Sequence, residues 1–114
     1  MLLKYSRKIM FNKKKSRNIF MNYYALIYHL VDDYMTRRGQ FREEHLGLAK
    51  ELNQKNELIL AGAFSDPPDK ALLIFHVADK SIIEEFVKKD PYVKNGLIAK
   101  WEIRPWTVVI GEVK

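Results

Sequence analysis

The sequence predicts an α+β domain in which an antiparallel sheet carries two helices on one face. Hydrophobic residues recur first at a two-residue spacing and then at a three-to-four-residue spacing, in the order strand, helix, strand, strand, helix, strand. In addition, two of the strand-like runs are apolar on both alternating faces, as expected of strands covered on both sides. This order is that of the split-βαβ, ferredoxin-like arrangement. A chain of 114 residues has room for one domain, and a hydrophobic content of 47 % is enough for an ordinary core.

The first run, YYALIYHLV at 23–31, sets Tyr23, Ala25, Ile27 and His29 on one face and Tyr24, Leu26, Tyr28 and Leu30 on the other. DDYMTRRGQ then interrupts it with charge and a glycine. From about Thr36 to Asn56 the period is helical, with Phe41, His45, Leu48, Ala49 and Leu52 on one side. Gly39 and Gly47 weaken that helix. ELILAGAF at 57–64 is a strand whose interior Gly62 marks a bulge or a close approach to the backbone. SDPPDK, with two prolines between aspartates, is a turn.

ALLIFHV at 71–77 is the second two-faced strand. ADKSIIEEFVKK at 78–89 is a helix that turns Ile82, Ile83, Phe86 and Val87 inward. Its N-cap is either Ser81, at capping-box distance from Glu84, or Asp79. Extended material closes the chain, and Pro105 suits an edge or a bend there. Two helices cover only one face of such a sheet. A second copy of the same sheet is the economical cover for the other, so a homodimer is the expected state.

The formal net charge of +6 is unevenly distributed. Residues 1–22 hold 7 of the 20 basic residues and no acid, whereas the remaining chain has 13 basic and 14 acidic residues. The charge therefore belongs to a basic N-terminal extension, 1–22, and the domain proper spans 23–114. Three functions suit that extension: an organelle-targeting presequence, an arm for nucleic acid or an anionic membrane, or a segment without a role preceding a translation start at Met21. Nucleic acid is not the expected partner of the near-neutral domain itself. No apolar run reaches the ~18 residues of a membrane span. The absence of cysteine excludes disulfides, thiolate metal sites and a thiol nucleophile, and fits a cytoplasmic location.

His45 lies within the apolar stripe of the first helix, with Arg42 one turn before it and Arg38 two turns before. A half-buried histidine needs a hydrogen-bond partner and is suited to proton transfer near neutrality. The alternative, which spacing alone favours, is a core histidine satisfied by a backbone carbonyl. In KKDPYVKNGL, Asp90 stands at the C-terminal end of the second helix, where the macrodipole disfavours an acid, and Pro91 follows at once. Spacing from Phe86 and Val87 points its carboxylate inward, so a donor such as His45 or Arg42 is required. The alternative is an Asp-Pro turn in which the carboxylate bonds its own backbone. Tyr92 is either a donor beside this pocket or a core aromatic. Trp101 and Trp106 are core or interface anchors. His29 and His76 lie in strands without metal-ligand spacing, so neither a metal nor a cofactor is expected.

Several short motifs fall in a recognisable order. Arg42, His45 and Leu46 form an Arg-x-x-His-Leu, Ala61 and Gly62 an Ala-Gly in the next strand, and Asp90, Pro91 and Tyr92 an Asp-Pro-Tyr after the second helix. EIRPW at 102–106 follows in the closing strand. On these residues the chain resembles the YciI-like (YCII-related) proteins over roughly residues 22–112. The resemblance implies a dimeric α/β barrel and a catalytic His–Asp pair, here His45 and Asp90. Arg42, Tyr92 and Gly62 are then the expected substrate-binding residues. Relatives that act as a dehydrochlorinase or as muconolactone isomerases imply lyase or isomerase chemistry on a small, carboxylated, anionic molecule. A non-catalytic binding or sensing domain would use the same pocket.

The acid-free extension lacks a hydrophobic period and repels itself, so it is expected to be dispensable for folding. A chain beginning at Met21 should melt within a few degrees of the full-length protein in differential scanning calorimetry. A much larger loss would show that the extension packs on the domain.

Overall fold

The computed structural model describes residues 21–111, so the basic extension lies largely outside the described residues. The elements are β1 (Asn22–Leu30), α1 (Tyr34–Arg37), α2 (Gly39–Gln54), β2 (Leu58–Ala63), β3 (Lys70–Val77), α3 (Ser81–Lys89), α4 (Pro91–Lys94) and β4 (Ile98–Pro105). The four strands form one antiparallel sheet in the order β2-β3-β1-β4. This is the ferredoxin-like arrangement, with the two-faced strands β1 and β3 at its centre. Their central position explains their composition, because each is flanked by strands and packed on at least one face.

Register decides which side chains reach the core. Tyr24 pairs with Phe75, Leu26 with Leu73 and Tyr28 with Ala71, so these residues share the face beneath the helices. From that face Leu26, Tyr28, Leu30, Leu73, Phe75 and Val77 are buried, together with Ile83, Phe86 and Val87 of α3. The opposite face carries Ala25, Ile27, Leu60, Leu72 and Ile74, of which Leu60 and Leu72 are exposed.

The expected first helix is divided. It begins earlier, at Tyr34, and Arg38 stands between the end of α1 at Arg37 and the start of α2 at Gly39. Arg38 keeps helical dihedrals, so the break is slight, and it falls just before the glycine that the sequence marks as weak. Arg37 anchors α1 elsewhere, donating through its guanidinium to the Asn95 carbonyl at 2.7 Å. The second helix begins at Ser81 rather than Ala78, because Asp79 accepts from the Ser81 amide and hydroxyl and holds the preceding turn outside the helix. Gly62 is neither a bulge nor a close approach. The register shift in β2 falls between Leu58 and Leu60, and a side chain at Gly62 would meet open space.

The turn after α4 brings the last strand back. Gly96 adopts φ +76°, a left-handed conformation suited to glycine, and the next residue, Leu97, is fully buried. Leu97 also bridges the layers, since its amide donates to Tyr92 and its carbonyl accepts from Val31. Trp101 and Trp106 do not reach the core. They remain 41 % and 49 % exposed on and just beyond edge strand β4. No described helix is long and apolar enough to cross a membrane.

Candidate functional site

Asp90 ends α3 with an extended backbone and at the same time caps α4, so one residue serves two helices. Pro91 occupies the first position of α4, where its missing N–H costs nothing. This double position resolves the apparent misplacement of an acid at a helix C-terminus. The carboxylate lies at the N-terminal end of the following turn, and its Oδ1 accepts from the Tyr92 amide at 3.0 Å.

The same carboxylate also engages two other elements. His45 of α2 donates through Nδ1 to Asp90 Oδ1 at 2.8 Å, and the Tyr28 hydroxyl of β1 donates to Oδ2 at 2.7 Å. Asp90 has no exposed surface. An ionised carboxylate accepts and does not donate, so three converging donors are what this buried group requires. The turn role and the histidine partnership, alternatives in the sequence, therefore coexist. Tyr28 is the member that sequence reasoning missed. Its inward face was legible, but its polar atom has no motif, and its partner Asp90 lies 62 positions along the chain.

Donation from Nδ1 leaves Nε2 as the unprotonated nitrogen of a neutral His45. Among the described residues Nε2 has no hydrogen-bond partner, and 13 % of the His45 side chain is exposed. The ring is held flat against Tyr92, with centroids 3.9 Å apart and planes 9° from parallel. Tyr34 packs edge-on to Tyr92 at 5.7 Å, and the Arg38 guanidinium lies 5.6 Å from the Tyr34 ring centre. Stacking fixes ring orientation while the hydrogen bond fixes the tautomer, so together they aim one basic nitrogen.

A cavity of about 280 Å³ opens beside this group. Tyr28, His45 and Tyr92 line one side, Arg38 and Arg42 the mouth of α2, and Ala61, Gly62 and Ala63 the opposite strand. Every expected site residue except the fully buried Asp90 thus contributes to the wall, and Asp90 acts from behind His45. Neither Arg38 nor Arg42 pairs with a carboxylate among the described residues. The other histidines are elsewhere: His29 bonds Glu102 at 3.2 Å and His76 stacks on Tyr23 at 4.3 Å.

Burial is the main reason that the Tyr28 hydroxyl holds its proton far above the ordinary tyrosine range, with the Asp90 charge and hydrogen bond adding to it. Tyr92 is pushed up to about 12, first by burial and then by the neighbouring Tyr34 hydroxyl, with Arg42 and Arg38 opposing. Both phenols therefore stay protonated in the fold while an unfolded tyrosine ionises near pH ~10. Their stabilising contribution is fully present below pH ~10 and is lost as pH rises through the folded values. Tyr28→Phe should cost about 1–3 kcal/mol at neutral pH, because one oxygen of a buried carboxylate loses its donor. The variant should also show a shallower alkaline loss of stability than the wild type in urea titrations at successive pH. An unchanged midpoint would show that the hydroxyl does not support Asp90.

The comparisons agree with this architecture. No curated protein matches the chain. Among solved structures, 5-chloro-2-hydroxyhydroquinone dehydrochlorinase from Burkholderia phenoliruptrix AC1100, in complex with 2,5-dihydroxybenzoquinone, superposes with a TM-score of 0.64 at 18 % identity, covering 75 % of this chain and 93 % of that one. A dimeric ferredoxin-like protein from an uncultured marine organism gives a TM-score of 0.53 at 13 % identity, covering 90 % and 99 %. At these identities the likeness establishes the shared fold. The family model of the YCII-related domain matches residues 21–107, most of the chain and all four strands. With the Arg-x-x-His-Leu and Asp-Pro-Tyr residues meeting across the fold, the chain belongs to the YCII-related domain family.

Proposed function

We propose that the protein is a proton-transfer enzyme of the lyase or isomerase type, acting on a small anionic organic molecule. The observation that carries this is the 2.8 Å bond between His45 Nδ1 and Asp90 Oδ1 beside an open cavity. His45 Nε2 takes a proton from a carbon next to a carbonyl or carboxylate, and the electron pair moves into an enolate. The proton then returns at another carbon, or a leaving group departs from the adjacent carbon. Asp90 stays ionised throughout, orienting the ring and stabilising the imidazolium. Arg42 and Arg38 hold the anionic group, and Tyr92 keeps the imidazole in plane. Gly62 leaves the wall of the cavity free of a side chain. No metal or cofactor is needed for these steps.

The dehydrochlorinase sharing this fold is complexed with a small oxygenated ring, which makes 2,5-dihydroxybenzoquinone a rational first probe alongside a panel of small carboxylates. Ligands that raise the melting temperature would then be incubated with the enzyme in D2O and followed by NMR. The wild type should wash deuterium into the acidic carbon, His45→Asn should not, and Asp90→Asn should be slower by at least ~10²-fold. Arg42→Ala should weaken binding with little effect on the exchange rate at saturation. A ligand that binds without exchange or turnover would identify a binding domain instead.

We also propose that the protein is a homodimer that pairs the open sheet faces. Leu60, Leu72, Ile74 and Phe64 line an apolar bowl there, and monomers rarely leave such patches bare. Sedimentation equilibrium at micromolar concentration should give twice the chain mass. A single species of monomer mass would count against this assembly.

A further inference from the structure

We infer that the Tyr34 hydroxyl is the hydrogen-bond donor that meets the developing enolate oxygen in the candidate site, along the same wall as the His45 base. This rests on the proton-transfer reading above. Tyr34 opens α1, and its backbone is fixed on both sides: its amide donates to Val31 O at 3.1 Å and its carbonyl accepts from Arg38 N at 2.9 Å. The residue is only 5 % exposed, and it lines the cavity. Among the described residues its hydroxyl has no carboxylate, carbonyl or ring nitrogen as an acceptor. A buried O–H of this kind stays unsatisfied unless something in the cavity accepts it. Its phenolic neighbour acts as a donor toward it. Burial pushes the Tyr92 phenol up to about 12 and Tyr34 adds to the shift, as an acceptor of the Tyr92 proton would. Accepting on one side makes the Tyr34 O–H a better donor on the other.

The aromatic wall sets the order of the groups. His45 lies flat on Tyr92 at 3.9 Å between centroids, and Tyr34 meets Tyr92 edge-on at 5.7 Å. A planar substrate laid along this wall has a basic nitrogen at one end and a phenolic donor at the other. The Arg38 guanidinium, 5.6 Å from the Tyr34 ring centre, adds a cation–π contact that steadies the ring. When His45 Nε2 takes the proton, the C–H electron pair becomes a carbon–carbon π bond and the carbonyl π pair moves to oxygen. Tyr34 hydrogen-bonds that oxygen and keeps its own proton, so the new charge is met as it forms. Arg42 and Arg38 engage the carboxylate, which is charged before and after the step. They therefore serve binding, whereas Tyr34 serves rate.

The test uses 4-nitrophenolate, a planar anion whose charge spreads from oxygen as an enolate's does, at mildly alkaline pH. Tyr34→Phe keeps the ring, its edge contact and its Arg38 contact, so its melting temperature should stay within a few degrees of the wild type. Its affinity for the probe should fall by at least ~10-fold. The visible band of the bound probe should lie at shorter wavelength in the wild type than in Tyr34→Phe, because only the wild type donates to the oxygen. Tyr92→Phe keeps the Tyr34 O–H and should move both readouts less. With a carboxylate that the wild type exchanges in D2O, Tyr34→Phe should slow exchange at saturation by ~10²-fold and leave affinity nearly unchanged. Equal bands and affinities in wild type and Tyr34→Phe would overturn the inference. So would a wild-type band matching that of the probe in donor-free acetonitrile, or no binding at millimolar concentration. In each case exchange by the wild type leaves the His45–Asp90 reading standing. A wild type that binds carboxylates without exchange would overturn both.

Discussion

A carboxylate with no exposed surface must find its donors inside the protein, and the arrangement around Asp90 follows from that requirement. Its three donors come from β1, α2 and α4, so one charged group ties the sheet to both helical segments above it. Each donor depends on a different part of the fold. Tyr28 depends on the register of the central strand, His45 on the turn at which α2 crosses it, and the Tyr92 amide on the helix reversal at Pro91. Satisfying a buried charge only partly is worse than having none, so the three must be correct together.

That constraint also separates structural from chemical groups. Asp90 is fully buried and the Tyr28 hydroxyl is committed to it, whereas His45, which borders the cavity with Tyr28, retains one ring nitrogen without a partner among the described residues. The arginines add charge at its mouth without carboxylate partners among the described residues, while the exposed Glu43 and Glu44 belong to the outer surface of α2. Rigidity comes from behind, through Asp90 and the Tyr92 ring. In front, the cavity is bordered by Arg38, Arg42 and the small side chains of β2.

The sheet has two unlike faces for a simple reason of layering. One layer of two helices cannot cover both faces of a four-stranded sheet, so the face under α2 and α3 holds the core and the other collects Leu60, Leu72 and Ile74. The candidate cavity opens where these two regions meet, along the edge strand β2. The candidate cavity and the uncovered face are therefore neighbours through Ala61, Gly62 and Ala63.

The sequence by itself determined the order and type of the main elements, because two-residue and helical periods in a chain of this length admit few arrangements. It also determined that Asp90 points inward and that His45 lies on the buried side of its helix, since both follow from local spacing. It did not contain the division of the first helix at Arg38, the start of the second at Ser81 or the short α4, which depend on side-chain bonds at single positions. Tyr28 was legible as an inward aromatic and not as a partner of Asp90. Trp101 and Trp106 read as anchors, yet they lie outside the core of the single chain. Only the tertiary structure decided that Asp90 is at once a helix cap and the partner of His45. That meeting is set by the pairing of β1 with β3 and the crossing of α2 above them, and neither distance is encoded in any local stretch of the chain.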